Sequence, residues 1–479
     1  MPSCSSDAAS ITGSIGFSTP AADAARLPSS PTSRGWPEPC PRSSASPTSR
    51  SPVPFESTLR DYREAAAAFS RPARLFLLCT TLAWTGYGVN QVLFNLYLVE
   101  AGFDEAFVGR AVFWNGLGLA LAALPAGQLA DRWGRRRGLI LGAIIEGLGL
   151  LTRTLVPTPA MVYGGSALAG VGQSLMAIGA APFITEHSTA RERTHLFSAF
   201  FASELLASVA GNLIGGWLPV GFGRLLAPGA LLAYRWTLLL GAAIQLASLL
   251  PLFMMRDLHE ARLSHASYAE DRSAVRMLWP IAINAFCIGV GAGLVIPFMN
   301  LYFRSRFQCS SAQIGVFFSL AQVSTALAAL LAPALARKFG KLRTATASQL
   351  LSLPFLVTLG AEKHLAVAVP AFWMRATLMQ ASIPLVSTFV MEALPAGLRA
   401  RSTSVTNLVW NAGWAVSATL SGLLIRRFGY SIPFFITAVL YATAALFFYF
   451  SFRHTAERGG SPRLSEEAKG LRGEGPATE

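Results

Sequence analysis

Apolar runs of about 20 residues recur from residue 73 to residue 452, each long enough to cross the hydrocarbon core of a bilayer as a helix. Soluble chains of this length divide into domains whose apolar runs are short. With 52% hydrophobic and only 13% charged residues, against roughly 25% charged in an ordinary soluble domain, the chain cannot cover itself with polar surface. A bilayer is the simplest solvent for it.

Twelve spans are predicted, at 73–98, 105–130, 138–156, 159–185, 194–219 and 234–255, then at 276–302, 311–336, 343–361, 364–391, 402–425 and 430–452. Residues 1–57 are rich in Ser, Pro, Ala and Arg with no hydrophobic period, the signature of a disordered leader. An organellar transit peptide and a start codon placed too far upstream are the other readings of this stretch. No apolar region follows Met1, so it is not a secretory signal. Ser57 to Ser70 reads as a short amphipathic helix lying on the membrane surface, N-capped by Ser57. The expected organisation is therefore 1–70 leader and surface helix, 71–256 first bundle, 257–275 cytoplasmic linker, 276–453 second bundle and 454–479 cytoplasmic tail.

The net charge of +14 is spread over short loops rather than gathered on one face, which argues against nucleic acid as a partner. It sets orientation instead. With a cytoplasmic N-terminus, the inner loops hold Arg132, Arg135, Arg136, Arg137, Arg191, Arg193, Arg337, Lys338, Lys341, Arg343, Arg399 and Arg401. The outer loops and their edges hold far fewer basic residues, so both termini are expected inside. The five cysteines form neither a disulfide framework nor a zinc spacing.

The chain repeats itself. At an offset of 206 residues, Ala120–Leu124 falls on Ala326–Leu330, Gly134 on Gly340, Arg137 on Arg343, Glu186 on Glu392, Arg193 on Arg399 and Gly216 on Gly422. At one residue less, Asn95-Leu96-Tyr97 falls on Asn300-Leu301-Tyr302. Six spans per repeat keep both halves in one topology, which makes them parallel repeats about an axis along the membrane normal, enclosing a central cavity.

Between the second and third spans stands Gly127-Gln128-Leu129-Ala130-Asp131-Arg132-Trp133-Gly134-Arg135-Arg136-Arg137, with a degenerate copy from Pro333 to Lys341. This loop resembles the signature of the major facilitator superfamily, and the span count and parallel repeat agree with it over residues 73–452. The resemblance implies an all-α membrane protein of twelve transmembrane helices in two pseudo-symmetric six-helix bundles, working as a secondary transporter. Gly127 would let a neighbouring helix come close, and Gly134 would permit the tight turn. Asp131 is the expected gate residue, meeting the start of the eleventh span near Ser402, as in the family. Arg132, Arg135 and Arg136 complete the motif, and Arg135, Arg136 and Arg137 have lipid anchoring as their simpler role.

Charges inside spans are costly and face protein or water. Glu204 and Arg375 fall near mid-membrane in the fifth and tenth spans, where the family places its cavity. Arg375 is expected to bind an anionic substrate group or to pair with Glu204 across the empty cavity. Glu204 is a candidate carrier of a coupling proton. Glu146 and Arg153 lie on the third span, peripheral in the family, so both are expected to be structural, with Arg153 snorkelling to the outer surface. Asn90, Gln91, Gln380, Asn407, Trp410, Asn411 and Trp414 are the expected polar and aromatic lining, suited to a small organic ligand.

The stretch Gly211-Asn212-Leu213-Ile214-Gly215-Gly216 is close to the glycine-rich run of drug/proton antiporters, with Asn212 in place of its proline. Nothing follows the sixth span like the Pro-Glu-Ser-Pro-Arg run of sugar porters. No phosphate-binding loop is present, so ATP is not the energy source and no enzyme is indicated. His187 and His195 lack a metal-ligand partner. The reading is alternating-access transport of a small organic solute, with proton-coupled efflux as the leading form. Its rivals are uptake of a nutrient or organic anion, and a membrane receptor or scaffold that binds without moving its ligand. No cofactor or metal is expected. The protein is expected as a monomer in a cell inner membrane, an organellar membrane being the lesser alternative.

Overall fold

The computed structural model describes residues 69–226, 229–255 and 278–457, apart from a few side chains, among them Asp131. The leader, the surface helix from Ser57, the linker 257–275 and most of the C-terminal tail lie outside the described residues.

The described chain is all helical. The first half contains α1 (Arg71–Glu100), α2 (Glu105–Trp133), α3 (Arg135–Leu155), α4 (Pro159–Glu186), α5 (Ala190–Leu226), α6 (Ala230–Ala247) and the short α7 (Leu249–Met254). The second contains α8 (Leu278–Val295), α9 (Met299–Phe307), α10 (Ser311–Phe339), α11 (Lys341–Leu351), α12 (Leu353–Ala361), α13 (Leu365–Ala393), α14 (Ala396–Phe428) and α15 (Ser431–Glu457). Helices α6 and α7 make one rod, as do α8 with α9, through the 3₁₀ turn Ile296–Phe298, and α11 with α12. The described helices thus form twelve rods, matching the predicted spans. Ten are long and apolar enough to cross a membrane by length and composition. The other two, α1 and α13, are 30 and 29 residues long and carry polar residues such as Asn90, Gln91, Arg375 and Gln380 within them.

The repeat read in the sequence is a repeat of structure. Helices starting at Glu105, Arg135, Pro159 and Ala190 have counterparts starting at Ser311, Lys341, Leu365 and Ala396, each 206 residues later. Gly134 and Gly340 turn the chain with φ of 93° and 84°, a left-handed conformation that a side chain would strain. Arg135 pairs with Glu186 and Lys341 pairs with Glu392, the same ion pair in both halves. Tyr97 Oη donates to the Thr154 carbonyl at 2.9 Å, and Tyr302 Oη to the Leu359 carbonyl at 2.7 Å.

Within the first half, α1 packs on α5 and α6, and α4 packs on α2 and α3. The halves meet where α2 lies on α14 and α5 on α10. These crossings run backbone against backbone. A Cβ added at Gly109 would lie 2.5 Å from the Ala418 carbonyl oxygen, and one at Gly315 would lie 2.4 Å from that of Asn212. Helices surrounded by lipid gain nothing from hiding apolar surface from one another, so close packing at small residues has to hold them. The largest apolar cluster draws on both halves, with Val89, Leu93 and Leu96 of α1 meeting Phe298, Met299, Tyr302 and Phe318.

Replacing Gly315 by Ala is expected to force α5 and α10 apart, at a cost of about 1–3 kcal/mol for overpacking. Gly164→Ala, where an added Cβ meets nothing within 4 Å, serves as the control and should leave stability unchanged or slightly raised. Thermal unfolding of the two detergent-purified variants checks this.

Candidate functional site

The helix ends near Asp104 are sealed by contacts between the halves. Asn95 Nδ2 donates to the Pro297 carbonyl at 2.5 Å and to Asn300 Oδ1 at 3.2 Å. Asn300 Nδ2 returns a bond to the Val92 carbonyl at 2.9 Å, and Asn300 is 1% exposed. These are the two asparagines that the repeat superimposes. Ser311 Oγ donates to the Gly216 carbonyl, again across the halves. At the rim, Asp104 caps α2 through its Oδ1, which accepts from Phe107 N, and takes Arg426 Nη1 on Oδ2 at 2.7 Å. Arg426 and Asp104 are 64% and 38% exposed, so that ion pair is worth about 0–1 kcal/mol. The buried amides and the glycine crossings make the seal.

Beneath the seal lies a cavity of about 350 Å³ lined from both halves. From α1 come Asn90, Gln91, Phe94 and Asn95, successive turns of one face, and α2 and α4 add Asn115 and Gln173. From α14 come Trp410, Asn411 and Trp414, the two indoles stacked at 5.1 Å. Five of the expected lining residues, Asn90, Gln91, Trp410, Asn411 and Trp414, are thus brought together here.

Helix α3 contributes Glu146 and Arg153, which the sequence reading had set aside as structural. Arg153 does not snorkel outward. It is 7% exposed, with Nη2 donating to Asn90 Oδ1 at 2.5 Å, Nη1 donating to Ser166 Oγ at 3.4 Å, and its guanidinium carbon 3.8 Å from the Phe94 ring centre. Glu146 Oε2 accepts from Gln245 Nε2 at 2.8 Å. The cause is the α3–α4 crossing. A Cβ at Gly172 would lie 2.3 Å from Glu146 N, and one at Gly165 would lie 2.8 Å from Arg153 N. Glycines at these positions thin the wall until α3 side chains reach the cavity. Gly165 and Gly172 share the seven-residue spacing of Glu146 and Arg153, and that pattern was the available signal.

A second pocket of about 380 Å³ opens among first-half helices, lined by Phe76, Trp84, Tyr87, Met176, Phe197, Phe200 and Glu204. It shares Tyr87, Leu119, Glu146 and Gln173 with the central cavity. Half-buried Glu204 accepts a hydrogen bond from the Trp84 side chain.

Arg375 is elsewhere. It is 4% exposed, and its Nη2 donates to Tyr441 Oη at 3.3 Å, because this face of α13 turns toward α15 and away from the cavity. It does not meet Glu204. Gln380 is exposed and absent from the cavity lining.

In the signature loop, Gly134 makes the expected turn. Arg135 holds Glu186 at 3.3 Å, and Arg136 donates to the Leu252 and Phe253 carbonyls at 2.9 Å, capping the end of α7. Both therefore have protein partners beyond the lipid role first assigned to them. Arg132 is exposed. The Asp131 side chain lies outside the described residues. Among the described residues, a Cβ added at Gly127 would meet nothing within 4 Å; α2 makes its close approaches at Gly109, Gly116 and Gly118.

A family model described as Major Facilitator Superfamily matches residues 76–280 and again 281–476. The chain is 29% identical over 148 residues to the citrate-proton symporter of Salmonella typhi, covering 29% of this chain and 34% of that protein. It is 26% identical over 143 residues to the multidrug resistance protein MdtH of Cronobacter sakazakii, covering 30% of this chain and 36% of that one. It thus spans about a third of the length of these curated relatives. Among solved structures, the nucleoside transporter NupG superimposes with a TM-score of 0.64 at 13% identity, covering 80% of this chain and 99% of that one. A bacterial homologue of the human lysosomal transporter Spinster, in an inward-facing and occupied conformation, gives 0.65 at 15% identity, covering 84% and 98%. At such identities the likeness is one of fold.

A double-mutant cycle with Asn95→Ala and Asn300→Ala should return a coupling of about 0.5–1.5 kcal/mol, as buried paired amides do. The cycle Asp104→Asn with Arg426→Gln should return about zero. Thermal stability of the four single and two double variants gives both numbers.

Proposed function

Because the chain belongs to the Major Facilitator Superfamily, a family of transporters and not of enzymes, we propose that it carries a small organic solute across a membrane by alternating access, coupled to protons through Glu204. The observation that carries this reading is the central cavity, lined by both halves and sealed at the Asp104 end by contacts that the halves must break to expose it there.

The two moving bodies are residues 71–256 and 276–453. The loop arginines favour an outward Asp104 end and cytoplasmic termini, and we read the membrane as a cell inner membrane. In the opposite state the Asp104 end opens and the signature loop closes the other side, with Asp131 holding the start of α14 near Ser402. Gly134, Arg135 and Arg136 keep the loop in shape in both states, since their partners lie within one half. The working unit is a monomer, in contact with lipid, solute and protons.

Glu204 suits a proton carrier by its placement. It is a half-buried carboxylate at the edge of an aromatic pocket that adjoins the cavity, and among the described residues no cation pairs with it. The other titratable groups of that pocket are Tyr87 and Glu146. A carboxylate that alternates between water and an apolar wall can take up its proton on one side and release it on the other. The aromatic pocket favours efflux, as in the multidrug resistance relatives. Arg153 favours uptake of an anion, as the name of the citrate-proton symporter suggests.

In proteoliposomes, a panel of labelled sugars, amino acids, organic anions and lipophilic cations should include one solute whose flux follows an imposed pH gradient. Glu204→Gln should lose that dependence while retaining solute-for-solute counterflow. Flux indifferent to pH would remove the coupling role of Glu204. A solute that stabilises the protein but never crosses a sealed membrane would make the protein a receptor.

A further inference from the structure

Arg153 is a buried cation that no carboxylate touches among the described residues. Its described partners, Asn90 Oδ1, Ser166 Oγ and the Phe94 ring, are all neutral. A guanidinium has five N–H donors, and Nε finds no partner. Among the described residues Glu146 is the one carboxylate lining the same cavity; it sits seven residues earlier on α3, bonds Gln245, and attracts Arg153 through space without touching it. No carboxylate forms an ion pair with Arg153 among the described residues.

A charge withdrawn from water is costly unless an opposite charge and hydrogen bonds replace the water. Asn90, the Phe94 ring and the more distant Glu146 supply part of that and leave the guanidinium short of hydrogen-bond partners in a cavity shaped to hold a ligand. An N–H edge of arginine matches the two oxygens of a carboxylate. Across the cavity, Trp410 and Trp414 offer stacked aromatic faces, and Asn115, Gln173 and Asn411 offer amides. We infer that the cavity binds a small organic anion, an aromatic or other planar carboxylate, with Arg153 as the residue that recognises its charge. This rests on the cavity being the solute site.

Matched pairs, each a carboxylate and its neutral amide, isolate the charge: benzoate and benzamide, 2-naphthoate and 2-naphthamide, indole-3-acetate and indole-3-acetamide. Binding is read from the ligand-dependent rise in melting temperature of the full-length purified protein. The native protein should bind a carboxylate of the panel about tenfold to a hundredfold more tightly than its amide. Arg153→Gln should lose that preference, and Arg375→Gln, at a residue absent from the cavity lining, should keep it.

Asn90→Asp is the decisive second variant, because it replaces the oxygen 2.5 Å from Nη2 by a carboxylate oxygen without changing size. It should raise the melting temperature of the ligand-free protein and abolish the preference for carboxylates. The assignment is overturned if no carboxylate of the panel outbinds its amide, or if the preference survives both Arg153→Gln and Asn90→Asp. Should Arg153→Gln fail to fold, Asn90→Asp alone decides. Flux of the same carboxylate into proteoliposomes separates the two claims. Binding without flux would remove the transport reading and leave the anion site, whereas flux of neutral solutes with no preference for carboxylates would remove only the anion.

Discussion

The architecture depends on helices touching through their backbones. In lipid an apolar side chain gains nothing by meeting another helix rather than an acyl chain, so cohesion comes from contacts that lipid cannot supply. At the α5–α10 crossing Gly216 and Gly315 put one main chain directly against the other, and at the α3–α4 crossing Gly165 and Gly172 do the same. The first contact joins the halves. The second thins a wall, which is why two charges on a helix that the family places at the periphery end up in the cavity.

Polar groups are distributed accordingly. A buried amide in a membrane must find a partner, and Asn95 and Asn300 find each other and the facing carbonyls, so a cost becomes a latch between the halves. The exposed Asp104–Arg426 pair marks the rim of the same closure and adds little energy to it. Arg375 bonds Tyr441, leaves its own Nε unpaired, and is absent from the cavity lining. Arg153 too is satisfied only in part, and that remainder gives the cavity its chemical character.

The halves share a scaffold and differ in chemistry. The turn glycines and the loop ion pairs recur at 206 residues, so the loop framework is duplicated. At the same offset Glu146, Arg153 and Glu204 correspond to Ser352, Leu359 and Trp410. The first half thus carries the charges and the second the aromatic surface. The cavity between such halves takes its charged groups from the first and its two stacked indoles, beside Asn300 and Asn411, from the second.

The sequence by itself determined the solvent, the number of rods, the duplication and the family, because each is written in local or periodic features: apolar runs of bilayer length, an offset that aligns glycines and charges, and one loop motif. It also placed Asn90, Gln91, Asn411 and Trp414 on the cavity wall, since polar residues in apolar spans have few other places to go. It did not decide which way a charged residue faces. Glu146 and Arg153 were read as peripheral and Arg375 as central, and the packing of α3 on α4 and the reach of Arg375 to Tyr441 reversed both. Which face of a rod turns inward is set by where neighbouring backbones can come close, and that is a property of pairs of helices distant in sequence. Only the tertiary structure holds that information.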